Sequence, residues 1–196
     1  DLVSQLRAHA KTRGAELLSA YDTKVAHAEG KHGFDQCWSV PDADVVASLM
    51  PAFAPDSTLA TRQAIQQCIE ASASALPGLI IGSADLTGNT GVKVKSVGAQ
   101  SKQLPTGQQV YFGIREHAMG PAMVAMALHG GTIPVGAPFF VFAPYIRPAI
   151  RLPALSKARV IFLFTHDSVG VGEDGPTHQP VDHLASLRVL PRLPVL

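Results

Sequence analysis

Four short apolar runs, at 79–82, 110–113, 132–135 and 159–164, alternate with helix candidates at 116–129, about 142–156 and 180–188. This alternation limits the possible folds more than any other feature of the sequence. Short strands separated by helices of that length need crossovers, and crossovers give a mainly parallel sheet flanked by helices. The expected class is α/β. The 86–109 connection between the first two runs is unusually long, and such loops in a compact domain are often functional.

Upstream, residues 1–29 read as helical: Leu2, Leu6, Ala10, Leu17, Leu18, Tyr21 and Val25 recur at roughly helical spacing, with Gly30 as a stop. In residues 30–58, Pro41, Pro51 and Pro55 surround one short helix candidate, Asp44 to Met50, which reads as a connecting segment. Thr61 to Leu76 is a stronger helix, with Ile65, Cys68, Ile69 and Leu76 on one face. Pro144, Pro148 and Pro153 fall inside the 142–156 segment. Pro144 suits a first turn, while the other two predict a kink or an interruption.

Composition narrows the function classes. The 196 residues allow a real core, and a hydrophobic content of 46% argues against disorder. A net charge of +1 gives no electrostatic footprint for nucleic acid or an anionic membrane. The longest apolar stretch, Ile133 to Ile146, is proline-broken and too short to span a bilayer. Cys37 and Cys68 form no C-x-x-C pair and suggest neither a disulfide framework nor a zinc site. A soluble, cytoplasmic protein is the expectation.

Two polar clusters each follow a strand candidate, and together they suggest two walls of one site. The first is Gly113 to Gly120, G-I-R-E-H-A-M-G, in which Glu116 stands at a strand-to-helix junction where open α/β sheets hold ligands. Position alone also allows a plain complement to the positive end of the following helix. The second is T-H-D-S-V-G-V-G-E-D-G-P-T-H-Q-P, residues 165–180. His166-Asp167-Ser168 has the composition of a hydrolase triad, but consecutive side chains do not converge as a triad must. Asp174-Gly175-Pro176 is a turn signal, with Thr177 as a cap and Pro180 in the first turn of the next helix. His166, Asp174 and His178 match no familiar metal-ligand spacing. Gly82 to Leu86 is not a dinucleotide fingerprint, and Asp85 suits an Asx-type turn. Phe139, Phe140 and Phe142 most simply fill core space, with an aromatic platform as the other reading.

Taken together, T-R-Q-A at 61–64, G-S-A-D-L at 82–86, G-I-R-E-H at 113–117, A-L-H-G-G at 127–131, F-F-V-F at 139–142 and the 165–180 block resemble the pyrimidine-binding domain of transketolases. The resemblance implies a thiamine-diphosphate-binding fold over 60–196, incomplete at its C-terminal side, preceded by an inter-domain linker with helices over 1–59. It implies thiamine-diphosphate-dependent transfer of a two-carbon ketol unit from a ketose phosphate to an aldose phosphate in the pentose phosphate pathway. It further implies Mg²⁺ bound by a diphosphate domain outside these residues, a homodimer of a longer chain, and no activity for this piece alone.

By resemblance, Glu116 hydrogen-bonds the aminopyrimidine N1′ and favours the ring's imino tautomer, work best done by a partly desolvated acid. Phe139 corresponds to the ring stacked on the pyrimidine, with Phe142 and Tyr145 completing the pocket, and Asp85 and Leu86 to further cofactor contacts. Arg62 and His166 correspond to the residues holding the sugar phosphate. Asp174 corresponds to the carboxylate at the C2 hydroxyl, and His178 to a catalytic histidine near the reacting hydroxyls. A serine that often contacts phosphate falls near Asn89-Thr90, and Pro121, Pro138, Pro144 and Pro153 stand where the family has other residues. The neighbouring readings are a dihydroxyacetone synthase-like ketol transferase using formaldehyde, and a non-catalytic or split-enzyme subunit.

Overall fold

A computed structural model describes residues 1–28 and 30–196, and the chain divides into two units, Asp1–Asp35 and Gln36–Leu196. The first consists mainly of helix α1 (Leu2–Ala26), whose N-cap Asp1 accepts the Ser4 N–H at 2.8 Å. None of its residues is buried, including the apolar positions that recur along it. Helix α2 (Lys31–Trp38) was not expected from sequence; Gly33 in its middle weakens the local helical signal. Helix α3 (Ala43–Leu49) forms where the short candidate lay, capped by Asp42.

The second unit contains α4 (Thr61–Ala73), then strands β1 (Leu79–Ser83) and β2 (Gln109–Tyr111), α5 (Glu116–His129), β3 (Ile133–Gly136), α6 (Ala143–Ser156), β4 (Ile161–Phe162) and α7 (His183–Arg188). The sheet order is β2-β1-β3-β4, with every pairing parallel. Both faces are covered, as a parallel sheet requires. On one face Met119, Met123, Phe140, Ile146, Ala149 and Ile150 pack with Leu187 and Leu190. On the other, Ile69 and Ala73 of α4 pack with Ile81, Val92, Val94 and Val135.

The prolines do not interrupt α6. It runs unbroken from Ala143 to Ser156, with Pro144 in its first turn and a left-handed cap at Lys157. Ile146, Ala149, Ile150 and Pro153 are buried along it, and this burial offsets the missing backbone donors. Pro121 likewise lies inside an unbroken α5. A second expectation fails at the far end. Pro176–His178 closes into a 3₁₀ turn, with the His178 N–H donating to the Gly175 carbonyl at 3.0 Å. Thr177 and Pro180 therefore precede α7, which starts only at His183.

The 84–108 connection has no helix, yet it is tied down throughout. Gln109 Oε1 accepts the Val94 N–H at 3.1 Å, and Gln109 Nε2 donates to the Ile81 carbonyl at 3.0 Å. Residues 98–100 hydrogen-bond alongside Gln109 and cover the outer edge of β2. The Glu70 carboxylate accepts the N–H groups of Lys95 at 2.8 Å and Ser96 at 2.7 Å. Burial pushes its carboxyl pKa up, but these hydrogen bonds and the Lys95 charge outweigh that, so it lies below its ordinary value. Glu70 thus contributes stability above the ordinary carboxylate range, and that contribution is lost as pH falls through the depressed value. Glu70→Gln should destabilise the unit by roughly 1 kcal/mol at neutral pH, little because solvent reaches the site. It should also raise amide exchange at Lys95 and Ser96. The difference from the parent should shrink in acid; a constant difference would contradict the assignment.

Candidate functional site

Each strand delivers a site segment just beyond its carboxyl end. Asp85 and Leu86 follow β1, Ile114 and Glu116 follow β2, Phe139 and Phe142 follow β3, and His166 follows β4. The chain leaves β1 and β3 toward opposite sides of the sheet, so a crevice opens between them.

The first wall is a cleft of about 460 Å³ lined by Ala84, Asp85, Leu86, Ile114, Glu116, Phe142 and Tyr145. Glu116 is the half-buried first residue of α5. A tight turn presents it there. Gly113 is left-handed (φ 66°), the Arg115 N–H donates to the Gly113 carbonyl at 2.7 Å, and Arg115 Nη1 donates to the Phe112 carbonyl at 3.0 Å. The left-handed backbone is what favours glycine at 113; an added Cβ would meet only the movable end of the Arg115 side chain. Asp85 also holds a left-handed conformation (φ 64°), uncommon outside glycine and a form of local strain that collects at functional sites.

The second wall gathers Arg62, Phe139, His166 and His178. The His166 ring lies 3.7 Å from the Phe139 ring, centre to centre, and Arg62 Nη1 is 3.3 Å from His166 Nε2. The His178 ring sits edge-on to Phe139 at 6.3 Å and to Phe142 at 5.7 Å. His166 is left-handed too (φ 54°). Burial pushes its imidazole pKa below the ordinary value and the Arg62 charge adds to this; Asp174 pulls the other way, so its carboxylate also acts on this wall.

Phe142 joins the walls. Its ring is parallel to that of Phe139 (4° between planes, 6.1 Å between centres) and 6.2 Å from Tyr145. The structure thus gathers nine of the ten residues singled out by sequence into two groups, Asp174 being tied to the second through its charge on His166, and it sets two of the aromatic rings at different depths. Phe142 and Tyr145 border the cleft, whereas Phe139, only 6% exposed, lies behind Phe142 as a shelf for His166. Spacing alone cannot rank three phenylalanines by depth. Sequence reasoning missed Ile114, Arg115 and Thr165, and also Gly91, whose added Cβ would collide with the Arg62 carbonyl. The only signal in sequence for the first three was their place inside the 113–117 and 165–180 motifs. Of the Asn89-Thr90 pair, Thr90 is buried and donates its hydroxyl to the Leu86 carbonyl at 2.9 Å, which leaves Asn89 exposed. Among the described residues, no group of three His, Cys, Asp or Glu could hold a metal ion, and no helix is long and apolar enough to cross a membrane.

A parallel α/β domain with an acid and aromatic rings around a cleft at its switch point is built to hold a flat, polar ring ligand. Comparison with known proteins narrows that class. Residues 57–196 match the family model described as transketolase, pyrimidine binding domain. Transketolase 10 of Craterostigma plantagineum is 46% identical over 192 residues, which cover 94% of this chain and 28% of that protein. Transketolase from Campylobacter jejuni superimposes with a TM-score of 0.85 at 35% identity over 97% of this chain and 29% of its own. Transketolase from Pichia stipitis in complex with sedoheptulose-7-phosphate does so at 0.80 and 32% over 94% and 28%. The chain belongs to the transketolase family and carries its pyrimidine-binding domain. It spans between about a quarter and two-fifths of the length of the curated relatives it matches.

Proposed function

We propose that this chain supplies the pyrimidine-binding half of a thiamine-diphosphate-dependent transketolase, which moves a two-carbon ketol unit from a ketose phosphate to an aldose phosphate. The observation that carries this reading is a carboxylic acid, Glu116, bordering one cleft with two aromatic rings, Phe142 and Tyr145. The donor set fits an aminopyrimidine: apolar side chains and rings for its faces, and a half-buried acid for a ring nitrogen. Bound thiamine diphosphate would supply the electron sink for cleaving a carbon–carbon bond beside a carbonyl.

The chain's own residues bind, orient and move protons. Glu116 holds a proton between its carboxyl and N1′ of the pyrimidine. Phe142 and Tyr145 wall the ring, Leu86 closes the cleft, and Asp85 contributes a carboxylate beside it. Arg62 and His166 hold the sugar phosphate; a guanidinium and an imidazole suit that anion. Asp174 accepts the C2 hydroxyl, and His178, edge-on to the Phe139 and Phe142 rings, exchanges protons with the reacting hydroxyls. We assign 60–196 to the pyrimidine domain and 1–59 to a linker, although the family match begins at 57. Mg²⁺ and the diphosphate belong to the other half of the enzyme, contributed by the second subunit of a homodimer. Ile114, 80% exposed, and Tyr145, 65% exposed, leave apolar surface at the cleft mouth for such a partner.

Two measurements test the reading. The 196-residue chain alone should show no turnover with thiamine diphosphate, Mg²⁺, xylulose 5-phosphate and ribose 5-phosphate, whereas the full-length enzyme carrying it should. In that enzyme Phe142→Ala should weaken thiamine diphosphate binding by about tenfold, the worth of one aromatic contact. Unchanged affinity would remove the aromatic wall from the argument. Formaldehyde serving better than ribose 5-phosphate as acceptor would favour the dihydroxyacetone synthase-like alternative.

A further inference from the structure

His166 sits between two polar neighbours whose chemistry fixes its proton. Its Nε2 lies 3.3 Å from Arg62 Nη1, and its Nδ1 lies 3.0 Å from Thr165 Oγ1. A guanidinium nitrogen can only donate. Nε2 therefore offers its lone pair to Arg62, and the single proton of the neutral ring is on Nδ1, where it donates to the threonine hydroxyl oxygen.

Thr165 is well held for this. It is 7% exposed, its carbonyl accepts the Phe140 N–H at 2.8 Å, and its backbone pairs with Phe139 across the end of the sheet. The imidazole packs on Phe139, so the ring cannot swing away without losing that contact. The charged and titratable groups acting on it are Arg62 from α4, Asp174 and His178 from the loop and 3₁₀ turn that follow, and adjacent Asp167.

This arrangement is poorly matched to a phosphate, which offers acceptor oxygens. Such an anion suits Arg62 but meets a lone pair at Nε2. We infer that Arg62 selects the Nδ1–H tautomer of His166 and that Thr165 is a positioning residue that keeps the ring in it by accepting that proton, so that capture of a phosphate-type oxyanion between Arg62 and His166 takes up one proton from solvent at Nε2. The inference rests on the sugar-phosphate role proposed for that pair. No bond of the ligand breaks; the proton passes from water or buffer to the imidazole. The incoming anion cancels the opposition of Arg62, and Asp174 and Asp167 then favour the imidazolium. The competing route is tautomer exchange, in which the Thr165 hydroxyl turns to donate to Nδ1 and no net proton is absorbed.

The test combines ¹⁵N NMR of the His166 imidazole nitrogens in the full-length enzyme carrying this chain with calorimetric binding of sulfate and of inorganic phosphate. Binding is measured above the ordinary imidazole pKa, in buffers of different ionisation enthalpy. Sulfate has no proton to give there, so uptake in its presence belongs to the protein. The free enzyme should show protonated Nδ1. Sulfate binding should absorb close to one proton, phosphate binding that proton less any the phosphate itself releases, and sulfate affinity should fall about tenfold per pH unit above the ring's pKa. Thr165→Val should give mixed tautomers and a shallower pH dependence, and Thr165→Ser should restore both. A protonated Nε2 in the free enzyme would overturn the assignment. Sulfate binding without proton uptake would overturn the coupling while leaving the anion site intact. Failure of both anions to bind would overturn the phosphate reading itself, and the inference with it.

Discussion

Glu116→Gln is expected to lower ketol-transfer kcat in the full-length enzyme by about two to four orders of magnitude, the usual worth of a positioned proton-transferring group. Glutamine keeps the volume and the hydrogen-bonding reach of glutamate but cannot take up or release the proton shared with N1′. Structure should suffer little. Glu116 is the first residue of α5 and only half-buried, so the loss of its charge from the helix N-terminus costs roughly 0.3–1 kcal/mol. That asymmetry separates the catalytic role from the helix-end role that the bare sequence allowed. A helix-end carboxylate alone would give a slightly less stable enzyme with normal turnover. Near-parental kcat in a folded, cofactor-saturated Glu116→Gln enzyme would remove proton transfer from this residue.

The alternation of strands and helices was legible because parallel strands buried on both faces must be short and apolar, and their crossover helices carry one buried stripe. Helix α5, Glu116–His129, lies where its place between two strand candidates put it. The site segments were legible for a related reason: a parallel sheet puts every strand's carboxyl end on one edge, so the runs after 82, 112 and 164 had to meet. The remainder depended on tertiary context. Burial of Ile146, Ala149 and Ile150 carries α6 through prolines that local propensity reads as breaks. Depth decided between Phe139 and Phe142, which differ by three positions on one chain turn and not in composition. The Arg115 and Thr165 contacts depend on left-handed backbone at Gly113 and His166, and nothing in the spacing announces such a conformation at a histidine.

The prolines of α6 give the second large expected effect its sharpest form. A helix that has given up backbone donors at 148 and 153 relies more than usual on the side chains it buries. Ile146 is wholly buried among Met119, Met123, Phe140, Ala149 and Ile150. It also sits against Gly120 of α5, where an added Cβ would come within 2.8 Å of its Cγ1. Glycine and alanine neighbours cannot expand into a vacated space, so Ile146→Ala should leave much of its cavity open and cost about 3–5 kcal/mol, the upper part of the range for such truncations. Ile146→Val should cost about 0.5–1.5 kcal/mol. Leu152→Ala, on the same helix at a residue 46% exposed, should cost less than Ile146→Ala by roughly 2 kcal/mol or more. Tyr145 precedes Ile146 directly and Phe142 stands one turn before it, so the alanine variant should also weaken thiamine diphosphate binding in the full-length enzyme. The valine variant should not. Urea unfolding of the three variants gives the ordering. Equal losses for Ile146→Ala and Leu152→Ala would mean that α6 is held by its backbone, and the explanation of its unbroken course through two prolines would then fail.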